Sequence, residues 1–148
     1  VALVVTRQVP TSSTMSVPHG PAGVGEARRR LRQDLRTRGA SDAIIDDAVL
    51  ILSELLSNSC RHARPLEDEQ VRASWGQDQD GEVTIAVTDG GGPTRPRLGM
   101  PSVTARGGRG LTIIRSLARD WGVLEGDPSG AVTVWAVLPS VPPPASRG

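Results

Sequence analysis

The sequence predicts an α+β fold: a two-layer α/β sandwich with a mixed, mostly antiparallel sheet and helices packed on one face. Three observations carry that expectation. First, the stretch from Ser41 to about Ala63 places Ile45, Ala48, Val49, Leu52, Leu55, Leu56 and Ser59 at helical spacing along one apolar stripe. Second, two alternating segments, Val71–Trp75 and Glu82–Thr88, flank Asp78-Gln79-Asp80-Gly81 and read as an antiparallel hairpin directly after that helix. Third, Trp121–Glu125 and Ala131–Pro139 add two more strands, the second nearly continuously apolar and expected to be central.

The chain of 148 residues is long enough for one domain with a two-layer core. We read residues 1–12 as a loose leader, 13–139 as the domain and 140–148, rich in Pro and Ser, as a disordered tail. A net charge of +1 gives no field that would draw nucleic acid or a membrane surface. No apolar run is long enough for a membrane span, and the apolar start lacks a basic leader and a cleavage site. The single cysteine, Cys60, fits a reducing cytoplasm and reads as a packed thiol on the helix. With no Phe or Tyr and three Trp, the core is aliphatic and stacking on aromatic platforms is excluded as a binding mode.

In chain order, Thr14–Pro18 reads as a short edge strand ended by Pro18, and His19-Gly20-Pro21-Ala22-Gly23 as a turn. A basic helix then runs from Val24 or Gly25 to Arg38, stopped by Gly39. Its arginines Arg28, Arg29, Arg30 and Arg32 read as a solvated or protein-contacting face rather than a nucleic-acid patch. Ser41 or Asp42 caps the central helix, which stops before Pro65. Arg64–Gln70 is a polar connection and residues 94–106 form a loop without period. A last helix follows from Thr112 to Arg119.

The chemistry concentrates in four places. On the central helix, Glu54, Asn58 and either Arg61 or His62 stack one turn apart on a face of their own. Two oxygen donors so placed can hold a hard cation, with the Asn58 carbonyl as direct ligand and Glu54 as a base or a ligand through water. A solvated polar face is the ordinary alternative. At the end of the second hairpin strand, Asp89-Gly90-Gly91-Gly92 sets an acid beside backbone that a ligand can approach closely. Such an acid can accept from an exocyclic amine; an Asp-Gly turn is the ordinary alternative. Arg95, Arg97 and Arg106 in the following loop are suited to phosphate. Finally, Gly107-Gly108-Arg109-Gly110-Leu111 opens a helix and offers free N–H groups to phosphate. It is neither a Walker A loop nor a dinucleotide fingerprint.

Taken in order, these motifs resemble the GHKL ATPase superfamily, whose nucleotide pocket is the Bergerat fold shared by gyrase, MutL and the histidine kinases. Glu54 and Asn58 match its N box, Asp89 and Gly91 the first glycine box, Gly108, Gly110 and Leu111 the second, and Thr133 the threonine that backs the adenine-binding Asp. The resemblance spans about residues 12–139. Within it, the free-standing anti-sigma-factor serine kinases and similar small actinobacterial regulators are the nearest in character, by length and by the Glu-Leu-Leu-Ser-Asn-Ser-Cys-Arg-His-Ala form of the N box.

That resemblance implies ATP and Mg²⁺ as cofactors and assigns roles. Asp89 accepts from the adenine amino group, with Thr133 holding it or a bridging water. Asn58 is the Mg²⁺ ligand. Gly108, Arg109 and Gly110 meet phosphates through N–H groups, and Arg106 or Arg109 through a side chain. Glu54 takes the proton of a partner's serine. His62 either faces the phosphates or simply ends the helix near its negative dipole. The implied partners are a sigma factor and a STAS-type anti-anti-sigma protein, with a homodimer as the implied assembly. The alternative is a nucleotide-gated binding module without kinase activity.

Overall fold

A computed structural model describes residues 11–92, 113–125 and 130–140. Strand β1 (Ser13–Pro18) leads into α1 (Pro21–Thr37) and α2 (Asp42–His62). After a short 3₁₀ turn (Glu67–Glu69) come β2 (Gln70–Gln77) and β3 (Val83–Asp89). Helical turns at 113–117 precede β4 (Asp120–Glu125) and β5 (Val132–Leu138). The five strands form one sheet in the order β1-β2-β3-β5-β4, and every pairing is antiparallel. This is the expected α+β architecture, without a parallel pair among the described strands.

Helix α1 begins at Pro21, earlier than the turn expected at 19–23. Proline at the first helical position gives up an N–H that has no partner there in any case. Gly23 makes the early start possible: a Cβ at that position would lie 2.1 Å from the Pro18 carbonyl oxygen. Gly23, Ala27, Leu31 and Leu35, each four residues apart, are the buried stripe of α1. Gly39, at φ +84°, ends the helix in the left-handed region. Asp34 fastens α1 to the sheet, accepting from Trp75 Nε1 at 2.8 Å and pairing with Arg38 at 3.2 Å. Arg28, Arg29 and Arg30 are exposed and Arg32 pairs with Asp46, so α1 presents an exposed basic face.

Helix α2 is capped as expected: the Ser41 hydroxyl accepts from Ile44 N at 3.2 Å. Every residue of its expected stripe is buried, joined by Ile44 and Ile51. It packs on β3, where alternation turns Val83, Ile85, Val87 and Asp89 toward the helices. In the hairpin turn, Asp78 Oδ1 accepts from the N–H groups of Asp80 and Glu82, and Gly81 takes φ +88°.

Strand β5 is internal, between β3 and β4, although the centre of the sheet is β3. Its apolar run is buried on one face only: Val132, Ala136 and Leu138 are buried, whereas Thr133, Trp135 and Val137 are partly open on the other. The last helix was expected over 112–119, and its described part is 113–117, with Ile114 fully buried. Leu52, at the middle of α2, has no exposed surface. Leu52→Ala is expected to lower unfolding free energy by about 2–5 kcal/mol in urea denaturation, with nucleotide-independent loss of cooperativity if the cavity does not collapse.

Candidate functional site

The site forms where the last turns of α2 meet the end of β3. Asp89 sits there 6% exposed, close to the limit for a carboxylate. Its Oδ2 accepts from Ser59 Oγ at 2.5 Å and its Oδ1 from Gly91 N at 2.8 Å. Burial pushes its carboxyl up from the ordinary carboxylate range, and the Ser59 and Gly91 donors and the nearby His19 only partly oppose that shift. A buried acid held this way keeps lone pairs available to a ligand donor, and each oxygen already has one fixed partner to define its direction.

The glycines after Asp89 are required by close backbone packing. A Cβ at Gly90 would lie 2.4 Å from the Pro65 carbonyl oxygen, and one at Gly91 2.7 Å from the Gly130 carbonyl oxygen. Gly91 also takes φ +83°. Two backbone hydrogen bonds lock this loop to the exit of α2: Gly90 N to Arg64 O at 2.7 Å, and Arg64 N to Gly91 O at 2.8 Å.

On α2, Glu54 and Asn58 are half-buried one turn apart. Arg61 reaches Asn58: its guanidinium donates to Asn58 Oδ1 at 3.1 Å. His62 lies four residues beyond Asn58 and three beyond Ser59, hence between them on the helix surface. Its Nε2 is buried without a hydrogen-bond partner among the described residues. A buried polar atom left in this condition at a site edge marks a place where a ligand or water atom completes the hydrogen bonding.

Thr133 is a correction. It stands opposite Thr88 in the β3–β5 register, and its hydroxyl meets Thr88 Oγ1 at 2.7 Å. Neighbouring residues of a strand face opposite sides, so Thr133 and Thr88 share the face away from α2 while Asp89 faces α2. The residue opposite Asp89 is Val132. The hydroxyl that holds Asp89 comes from Ser59, which the sequence places in the apolar stripe. The sequence signal for it is a lone hydroxyl in a buried stripe, next to Asn58 and nearly one turn before His62. Arg106, Gly108, Arg109, Gly110 and Leu111 lie outside the described residues, as do Arg95 and Arg97.

Residues 17–136 match the family described as "Histidine kinase-like ATPase domain". The chain belongs to that family. No curated protein matches the sequence. Among solved structures, this ATPase-family domain is similar to the RsbU and RsbW domains of Rv1364c from Mycobacterium tuberculosis, with a TM-score of 0.65 and 20% identity. That match covers 90% of this chain and 34% of the other, so the domain spans well under half of its neighbour's length. It is also similar to a chain of the SiaB–SiaC complex from Pseudomonas aeruginosa, with a TM-score of 0.62, 14% identity, and 86% and 91% of the two chains covered.

The Cys60 thiol is pushed up chiefly by burial, so this half-buried cysteine is a packing group, as its sequence context indicated. Among the described residues no group of three or more His, Cys, Asp or Glu side chains could hold a metal ion. Asn58 fits Mg²⁺ in a different way. It offers one neutral oxygen beside the half-buried Glu54, and the guanidinium on that oxygen belongs to an exposed residue that can move aside. Such a position suits an ion that keeps its waters and arrives on phosphate oxygens. Among the described residues no helix is long and apolar enough to cross a membrane.

Proposed function

We propose that the domain binds Mg-ATP and acts as a serine-protein kinase of the anti-sigma type, phosphorylating a STAS-like anti-anti-sigma protein and sequestering a sigma factor. The observation that carries the nucleotide reading is Asp89: an acid 6% exposed, between the end of α2 and a glycine turn, with one donor already on each oxygen. Adenine supplies what this acid still accepts, an N–H of its exocyclic amine. The His62 Nε2, buried without a partner among the described residues, lies one helical turn past Asn58.

The roles follow from position. Asp89 accepts from the adenine amino group while Ser59 and Gly91 N hold it in place. Asn58 offers its carbonyl to Mg²⁺, whose contribution is to neutralise the phosphate charge. Glu54 takes the proton from the partner's serine hydroxyl as that oxygen bonds to the γ-phosphorus. The bond to the β–γ bridging oxygen breaks, and ADP leaves with the electron pair. Arg106, Arg109 and the amides of Gly108 and Gly110 are assigned to the phosphates on the sequence motif alone. One structural neighbour belongs to a complex of two proteins, SiaB and SiaC, which supports a protein partner for this chain.

Calorimetric titration with Mg-ATP and Mg-GTP tests the first half. Adenine binding at least about tenfold tighter is expected, because a site built around an acceptor for an amine rejects a carbonyl there. Equal affinity removes the Asp89 assignment. Affinity capture in Mg-ADP and in Mg-ATP tests the second half. Recovery of a STAS protein in one state and a sigma factor in the other supports partner switching, and phosphate transfer to the captured protein separates a kinase from a nucleotide-gated module.

A further inference from the structure

The turn at 19–20 sits against the C-terminal end of α2, forty residues away in sequence. His19 Nε2 lies 3.0 Å from the Ser59 carbonyl oxygen and 3.1 Å from the Ala63 carbonyl oxygen. Carbonyl oxygens only accept, so this nitrogen carries the proton and donates to both. The Ala63 carbonyl lies past the last helical turn and has no amide of its own helix to meet. Ser59 O already accepts from Ala63 N at 3.0 Å. His19 therefore closes the end of α2 from outside the helix, as a cap supplied by the β1–α1 turn.

The turn is itself held in place. His19 N donates to Glu69 O at 3.1 Å, and Gly20 N–H points at the Cys60 thiol. From the capped helix end, two routes reach Asp89. One is Ser59, whose carbonyl accepts from His19 and whose hydroxyl donates to Asp89 Oδ2. The other is Arg64, next to Ala63, whose N–H and carbonyl pair with Gly91 and Gly90.

We propose, on the nucleotide reading above, that His19 is a positioning residue for base recognition: it fixes the last turn of α2 so that Ser59 and the Gly90–Gly91 loop aim the Asp89 carboxylate at the exocyclic amine. His19 does not touch the nucleotide. Its role is the direction of Asp89, and therefore the preference for a base that donates at that position over one that does not.

The test is the ratio of dissociation constants for IDP and ADP, in which a carbonyl replaces the exocyclic amine and N1 carries a proton, measured with Mg²⁺ for the full chain and for His19→Ala and His19→Gln. Loss of the cap is expected to shrink the ratio by about fivefold in His19→Ala, the weight of one misdirected hydrogen bond. His19→Gln places an N–H where Nε2 was and is expected to restore the wild-type ratio. A general loosening of the fold weakens IDP and ADP alike and leaves the ratio unchanged, which overturns the proposal. Nitrogen-15 NMR of the wild-type imidazole gives a second reading that needs no variant to fold. A proton on Nε2 in the free and ADP-bound protein is expected, and an unprotonated Nε2 overturns the proposal. If the wild type itself shows no preference for ADP, the nucleotide reading falls and takes this one with it. A wild-type preference that survives in His19→Ala removes only the role of His19.

Discussion

Asp89→Asn is expected to weaken adenine-nucleotide binding by roughly 10- to 100-fold while leaving the fold as stable as before or more so. The loss follows from exchanging a hydrogen bond to a charged acceptor, worth about 1.5–3 kcal/mol, for one to an amide that must also satisfy Ser59 and Gly91 N. The stability half follows from linkage. Burial raises the Asp89 carboxyl above its unfolded value, so the folded state takes up a proton more readily than the unfolded one. The charged form is thus a penalty on folding, fully present at pH above the folded value. It is relieved as pH falls through that value and is absent below the unfolded one. Asparagine carries no such penalty. Thermal unfolding of both proteins across about pH 4 to 8 is expected to show the variant gaining on the wild type as pH rises. A wild type that gains on the variant with rising pH would mean that the Ser59 and Gly91 donors outweigh desolvation, and unchanged ATP affinity would remove Asp89 from the pocket.

Glu54→Gln is expected to lower phosphate transfer to the partner serine by about 10²–10⁴-fold, the usual weight of a general base. ADP affinity is expected to stay within about twofold, since glutamine keeps the size and hydrogen bonding of the side chain and loses only its basicity. Glu54 is half-buried one helical turn before Asn58, so the base and the proposed metal ligand share one edge of α2. Single-turnover transfer from labelled ATP, read beside ADP titration, separates the two quantities. Transfer that persists in the variant shows that Glu54 is not the base. A parallel loss of ADP affinity shows that it serves binding instead.

The two expectations draw on different parts of the molecule. Asp89 is defined by what surrounds it: a helix end, a glycine turn and a hydroxyl. Glu54 is defined by its spacing along one helix, which needs no tertiary information. The same division runs through the rest of the chain.

Whatever depends on local period and local backbone chemistry was legible from the residues alone. The α2 stripe from Ile45 to Ser59 was legible because a 3.6-residue repeat is imposed by the helix itself, and every member is buried. The Asp78–Gly81 turn and the Gly39 stop were legible because their residues suit the backbone angles required there. Four motifs in order, from the Glu54–Asn58 pair through the two glycine boxes to Thr133, indicated the family that residues 17–136 match.

Which side chains meet depends on how the elements pack. Thr133 could not be assigned from its position in a motif, because a strand's side chains alternate. A register that sets it opposite Thr88 puts it on the face away from Asp89. Ser59 and Asp89 are thirty residues apart and come together because α2 lies across β3. His19 reaches the end of α2 across forty residues, because the short connection between β1 and α1, where Gly23 packs on Pro18, lies against that helix end. None of these contacts has a local signature, since each is the product of two elements placed by burial of apolar surfaces elsewhere.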